Sequence, residues 1–285
     1  MFKKNKVGVV GSGTMGNGIA HVFAIHSYNV TLVDISQKIL DDAINKIRSN
    51  INRQIKKNII SDNDAVIALK NIDTTTNLEL LSDCDLVIEA VKEDLDIKVE
   101  IFKKLDSICN DKTIFASNTS SISINTLGSY LKNPEKFIGM HFMNPVPVMK
   151  LVEIINGDKT SQATKDLINN ISKSLDKIPI ECNDAPGFVS NRILMPMINE
   201  AAFCYMDGVA KPEAIDSIMQ LGMGHPMGPL KLADLIGIDV CVYIMNVLYE
   251  GFKNEKYRVC PILLDMVKAG KLGKKTKEGF YKYEF

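Results

Sequence analysis

Apolar residues in the first two thirds of this chain fall into short β-branched runs separated by longer stretches with helical spacing. Residues 7–10, 30–33, 86–90 and 113–116 read as buried strands. Between them, a helix is expected from Met15 to about His26, a basic one from an N-cap at Ser36 to about Lys57, and a third over 97–108. Two further runs, 136–140 and 150–155, read as strands flanking a loop that carries Asn144, Pro145 and Pro147. Strands alternating with helices predict a mostly parallel sheet with helices on both faces. The pattern changes after Pro186-Gly187, where 188–206, 212–220, 230–236, 240–252 and 262–269 read as helices. The expected division is an α/β domain over residues 1–185 and a smaller all-α domain over 186–285, with a catalytic cleft between them.

The loop after the first strand gives this sheet a chemistry. Gly11-Ser12-Gly13-Thr14-Met15-Gly16 is G-x-G-x-x-G between a strand and a helix. The first glycine permits the turn, the second lets the backbone approach a pyrophosphate, and the third allows close helix–strand packing. Asp34 ends the second strand, where a carboxylate accepts hydrogen bonds from ribose hydroxyls and repels a ribose phosphate. The expectation is a Rossmann-type domain binding NAD in preference to NADP.

Composition narrows the partners. The 285 residues include 34 basic and 34 acidic side chains, so no bulk field recruits nucleic acid or an anionic membrane. Lys3, Lys4 and Lys6 precede an apolar run that breaks at Gly11, too short for a signal peptide, and no later run is long enough to span a bilayer. The six cysteines have no C-x-x-C pair and no metal-ligand spacing, which reads as reduced thiols in a cytoplasmic protein without a metal site.

The stretch 140–154, MHFMNPVPVMKLVEI, puts His141 and Glu153 on the two runs that flank the Pro-rich loop. Neighbouring strands joined this way can hold an imidazole beside a carboxylate, which orients a general base. A core-edge histidine and an unrelated surface glutamate is the plain alternative. Residues 115–121, FASNTSS, follow a strand, at the end where ligands bind in open α/β sheets. Ser121 and Ser123 also suit turns or helix caps. Asn191, in PGFVSNR at 186–192, falls in the first turns of a helix at the domain junction.

Together with HPMGPLKLAD (225–234) and GKKTKEGFYKY (273–283), these motifs occur in the order found in the NAD-dependent 3-hydroxyacyl-CoA dehydrogenases, and the chain resembles that family over nearly its whole length, most closely its small bacterial 3-hydroxybutyryl-CoA form. The resemblance implies that His141 is the catalytic histidine and Glu153 its partner. It implies that Ser120 and Asn191 contact the reacting oxygen. Gly11, Gly13, Thr14, Met15, Gly16, Asp34, Asn118 and Ser120 would line the cofactor, with Glu93, Lys98 and Asn144 near its nicotinamide half and Lys274 approaching it. Arg53 and Lys57, four apart on one helical face, would meet the adenosine phosphates of a short-chain acyl-CoA. A plain solvated basic face is the other reading of that pair. One departure is Met143, where relatives usually carry an aromatic residue. The family commonly pairs through its C-terminal domain, so a homodimer is expected.

Two other readings stand beside this one. A dehydrogenase of a free hydroxy or sugar acid keeps NAD and the His–Glu pair but needs no basic helix for a nucleotide. A crystallin-like structural protein needs none of Ser120, His141, Glu153 and Asn191 together.

Overall fold

The computed structural model describes residues 6–284, so Lys3 and Lys4 lie outside the described residues. The chain divides between Asp184 and Ala185 into two compact units. In the first, β1 (Lys6–Val10), α1 (Thr14–Ile25), β2 (Asn29–Val33), α2 (Gln37–Lys56), α3 (Asp62–Lys70) and β3 (Ile72–Thr75) are followed by β4 (Leu86–Glu89), α4 (Leu95–Ile108), β5 (Ile114–Ser117) and α5 (Ile124–Gly128). The unit continues through β6 (Phe137–Phe142), β7 (Leu151–Asn156), α6 (Gln162–Ser174) and β8 (Ile178–Asn183).

The eight strands form one sheet in the order β3-β2-β1-β4-β5-β6-β7-β8. Every pairing from β3 to β6 is parallel, β6 and β7 run antiparallel, and β8 is parallel to β7. The strand order reverses between β1 and β4, which is where an open α/β sheet presents its ligand crevice. The central strands β4, β5 and β6 are buried at every position, as expected of strands covered on both faces. Helix α2 buries only Leu40, Ala43, Ile47 and Ile51, a single stripe, and leaves Arg53, Lys56 and Lys57 in solvent.

Two strands lie beyond those the hydrophobic runs predict. β3 is a polar edge strand, Ile-Asp-Thr-Thr, and β8 carries Pro179 and Glu181 on the opposite edge. Edge strands have one unpaired side and tolerate both residue types, so neither shows the apolar continuity of a buried strand. Ser36 does occupy the N-cap position of α2, but its side chain makes no capping hydrogen bond.

The second unit is helical: α7 (Ser190–Met206), α8 (Pro212–Met223), α9 (Pro229–Ile236), α10 (Ile238–Phe252) and α11 (Pro261–Lys268). Proline opens α8, α9 and α11, where its missing N–H would have had no helical partner. Helix α7 begins two residues later than the apolar spacing predicts, because Phe188 is left-handed, with φ 51°. Ile198 and Ala201 pack into this unit's core with Leu230, Met245, Leu248 and Leu263, whereas Ile193 is 67% exposed. Among the described residues no single helix is long and apolar enough to cross a membrane.

Candidate active site

The glycine loop fits a dinucleotide. Gly11 has φ 94°, and a side chain there would strike the Ala90 carbonyl, so the turn between β1 and α1 admits only glycine. A Cβ on Gly16 would sit 1.7 Å from the Gly11 carbonyl oxygen, which fixes how closely α1 meets the strand end. At Gly13 the outcome is the opposite: a Cβ there would meet nothing within 4 Å. Neither the fold's packing nor a positive φ requires a glycine at that position, and a phosphate approaching the backbone does. Gly13 caps α1 without a side-chain acceptor and no acidic residue occupies the first turn, so the N–H groups at that helix end remain free for an anion. Asp34 closes the loop, its Oδ2 accepting from the Ser12 N–H at 2.7 Å and the Ser12 hydroxyl at 2.8 Å.

His141 and Glu153 face each other in the single antiparallel pairing of the sheet, where the register sets them directly opposite. Side chains in such a cross-strand pair lie on one face at close range. His141 Nδ1 is 2.9 Å from Glu153 Oε2, and the two residues are 8% and 4% exposed. A carboxylate can only accept, so the imidazole's Nδ1 carries the hydrogen and the neutral ring has its lone pair on Nε2. The Cys182 thiol lies 3.9 Å from the other oxygen, Glu153 Oε1.

The serine loop after β5 hangs on a buried ionic network. Glu93 Oε1 accepts from the Thr119 hydroxyl at 2.5 Å, the Ser120 N–H at 2.9 Å, the Ser121 N–H at 3.0 Å and the Ser121 hydroxyl at 2.8 Å. Its other oxygen is 3.2 Å from Lys98 Nζ. Burial alone would push the Glu93 carboxyl up, but the Lys98 ammonium and these donors outweigh it and hold the group below its ordinary value. Lys98 is 1% exposed and reaches in the other direction to Glu89 at 2.6 Å. Asn118 ties the loop to the neighbouring strand, its Oδ1 accepting from the Phe142 N–H at 2.9 Å, one residue beyond His141.

The α/β unit therefore brings the glycine loop and Asp34 into one closed turn, pairs His141 with Glu153, and joins Glu93, Lys98, Asn118 and Ser120 in one hydrogen-bonded network. Asn144 is exposed in the loop between β6 and β7, beside a cis peptide bond to Pro145. That loop is held from beneath by Lys177, whose ammonium donates to the Val146 carbonyl at 2.6 Å and the Met149 carbonyl at 2.7 Å. Arg53 and Lys57 lie apart from this machinery on α2, and the Arg53 guanidinium leans back on Ser49 of its own helix. Asn191 is buried in the first turn of α7 and Lys274 is exposed in a short turn after α11, both in the helical unit. Ser123 caps α5 through the Thr126 N–H, while Ser121 serves Glu93. Sequence reasoning missed Glu89 and Lys177, and placed Ser117 and Thr119 in the loop 115–121 without giving either a role of its own. Glu89 left one signal: an acidic residue inside the apolar run of a central strand must have a partner.

Comparison with known proteins accounts for both units. The family model described as "3-hydroxyacyl-CoA dehydrogenase, NAD binding domain" matches residues 6–185, and its C-terminal-domain counterpart matches 187–283. A 3-hydroxybutyryl-CoA dehydrogenase of Clostridioides difficile is 50% identical over 98% of this chain and 99% of its own length. The mitochondrial hydroxyacyl-coenzyme A dehydrogenase of Sus scrofa is 41% identical over 98% of this chain and 91% of its own. The crystal structure of an (S)-3-hydroxybutyryl-CoA dehydrogenase from Ralstonia eutropha superimposes with a TM-score of 0.96 at 47% identity, covering 99% of this chain and 100% of that one.

Proposed function

The chain belongs to the NAD-dependent 3-hydroxyacyl-CoA dehydrogenase family, and from that premise we propose that it interconverts 3-hydroxybutyryl-CoA and acetoacetyl-CoA with His141 as the general acid and base. The observation that carries this reading is the buried 2.9 Å pairing of His141 with Glu153 in the same sheet as a glycine loop that fits NAD.

Bound NAD supplies the two-electron acceptor for the hydride that leaves carbon 3. The protein's part is the proton. His141 Nε2 takes it from the 3-hydroxyl in oxidation and returns it to the same oxygen in reduction. Glu153 holds the ring in the tautomer that turns the Nε2 lone pair to the proton, and stabilises the imidazolium once it has formed. Ser120, fixed through its N–H to Glu93, donates to the oxygen as negative charge develops on it, and Asn191 would be the second donor.

Arg53 and Lys57 are the handle for the nucleotide of CoA, an assignment supported by their exposure on one face of α2. The same reading makes the protein a cytoplasmic homodimer. Six free cysteines support the first part, and the exposed Ile193, Leu221 and Met223 of the helical unit support the second.

The test is an absorbance assay of NADH oxidation with acetoacetyl-CoA and with free acetoacetate, run on the parent chain and on Arg53→Glu/Lys57→Glu. Turnover of the thioester, and a higher KM for it alone in the double variant, are expected. Preference for the free acid would overturn the CoA assignment.

A further inference from the structure

Glu89 is the one fully buried carboxylate on the central strands, with 0% exposure, and the reaction described above gives it nothing to do. Its contacts nonetheless lead to the loop that carries Ser120. Oε1 accepts from the Val91 N–H at 2.7 Å and from Lys98 Nζ at 2.6 Å, and Oε2 accepts from the Ser117 hydroxyl at 2.6 Å. Its backbone carbonyl accepts from the Asn118 N–H at 2.8 Å.

Two routes lead from this carboxylate to the serine. One runs through Lys98 to Glu93, 3.2 Å away, and from Glu93 Oε1 to the Ser120 N–H at 2.9 Å. The other runs through Ser117, whose hydroxyl oxygen accepts from the Thr119 N–H at 3.2 Å, one residue before Ser120. A lysine side chain has four rotatable bonds, and only a second fixed anion keeps its ammonium aimed at one oxygen of Glu93.

Stability gives no reason for a carboxylate at Glu89. Glu89 and Lys98 are both closed to water, and desolvating two charges is rarely recovered in full by their attraction. Burial pushes the Glu89 carboxyl up, against the pull of Lys98, Ser117 and Val91. A hydrophobic residue at the end of β4 would pack with less expense.

We propose that Glu89 is a positioning residue for the dehydrogenase reaction, locking Lys98 and Ser117 so that Ser120 is presented at a fixed height to the reacting oxygen. The proposal rests on the role given to Ser120 above. Displacing a donor by about an ångström can cost up to about a hundredfold in rate, so a loss of about tenfold in kcat is expected from loosening the frame.

The experiment is a double-mutant cycle of Glu89→Gln with Ser120→Ala, read as kcat and KM at saturating NADH with acetoacetyl-CoA, alongside the melting temperature. Glu89→Gln should lower kcat about tenfold, leave the thioester KM within about twofold, and add little to the loss already caused by Ser120→Ala, because residues that act through one another are not additive. An equal loss in both backgrounds would overturn the proposal, since a merely structural glutamate would slow both enzymes alike. So would an unchanged kcat in Glu89→Gln. If Ser120→Ala itself turns over at the parent rate, the role of Ser120 fails first and takes this one with it. Should Glu89→Gln not fold, the cycle is run with Ser117→Ala, which opens only one arm and leaves Lys98 its partner. It should show a smaller fall that disappears in the Ser120→Ala background, and persistence there would overturn the proposal equally.

Discussion

Each unit of this protein holds a pair of hydrogen-bonded carboxylates, and the two pairs are built differently. In the α/β unit, Glu89 and Glu93 share the Lys98 ammonium, and their remaining bonds go to the Val91 N–H and to a loop of serines and threonine. In the helical unit, Asp216 and Asp234 are 4% and 1% exposed and are satisfied by backbone and tyrosine donors. Asp216 accepts from the N–H groups of Leu230 and Lys231 at the start of α9, and from the Tyr281 hydroxyl. Asp234 accepts from the N–H groups of Phe280 and Tyr281 and from the Tyr283 hydroxyl, which clasps the C-terminal segment to α9. Glycines 228, 273 and 279 make room for these two aspartates, and a Cβ on any of them would collide. The lesson is that burying a charge does not itself mark chemistry. The groups tied together do: Asp216 and Asp234 fasten the C-terminal segment to α9, whereas Glu89 and Glu93 share an ammonium and hold the loop that carries Ser120.

The sharpest break between the two regions should come from His141→Ala. Losing a positioned acid and base is worth about 10²–10⁴ in kcat, with NAD affinity close to the parent value, because the glycine loop and Asp34 are untouched. Equal turnover in the two proteins, measured by NADH absorbance, would remove His141 from the mechanism.

A smaller loss, about tenfold in kcat, is expected from Glu93→Gln, since the amide cannot collect the five donors that converge on one oxygen. This variant also tests the pH behaviour. The folded chain holds the Glu93 carboxyl below the ordinary 4.5, so the stabilisation it gives is complete above about that pH and is lost as the pH falls through the lower folded value. Acid unfolding followed by circular dichroism should therefore be less steep in Glu93→Gln. An acid limb identical to the parent's would show that the pairing with Lys98 adds no stability. Asp234 carries the opposite sign, because burial raises its carboxyl and no ammonium offsets it. Its contribution is largest below the ordinary 3.8 and declines as the pH rises through the folded value.

The least effect on catalysis should come from the helical pair. Asp234→Asn leaves a donor facing donors and should cost about 1–3 kcal/mol of stability, read from urea unfolding, with kcat of the folded protein near the parent value. A variant that kept full stability but lost kcat would reverse the distinction between the two regions.

How much of this was legible in the sequence follows from the same distinction. His141 and Glu153 could be found because two apolar runs of strand length bracket a loop with three turn-forming residues, and the glycine loop because its spacing falls between a strand and a helix. Asp34 was legible from its place at the end of the second strand. The support beneath them was not. Glu89 looks like the polar end of a strand, and its partner Lys98 sits on the next helix, where a lysine usually faces water. Lys177 follows a left-handed Asp176 between α6 and β8, and nothing local says that its ammonium turns inward to two carbonyls of another loop. β3 and β8 escaped for a related reason: a strand at the edge of a sheet is specified by its neighbour, and single-sequence periodicity reports only burial. Asp216 and Asp234 lie in helical segments with ordinary spacing, so their tie to the C-terminal tyrosines appears only once the chain has folded back.

The antiparallel ladder between β6 and β7 has a consequence for how this enzyme can vary. His141 is opposite Glu153 because Met140 is opposite Ile154 and Phe142 is opposite Val152, and alternate residues of a strand point to opposite faces. Residues added to or removed from the loop between the strands leave that parity intact, so the loop can be rebuilt by insertion or deletion. A single residue gained or lost within either strand turns the glutamate to the other face and sets the imidazole against Val152 or Ile154. Length is a free variable in the loop and a fixed one in the strands beside it.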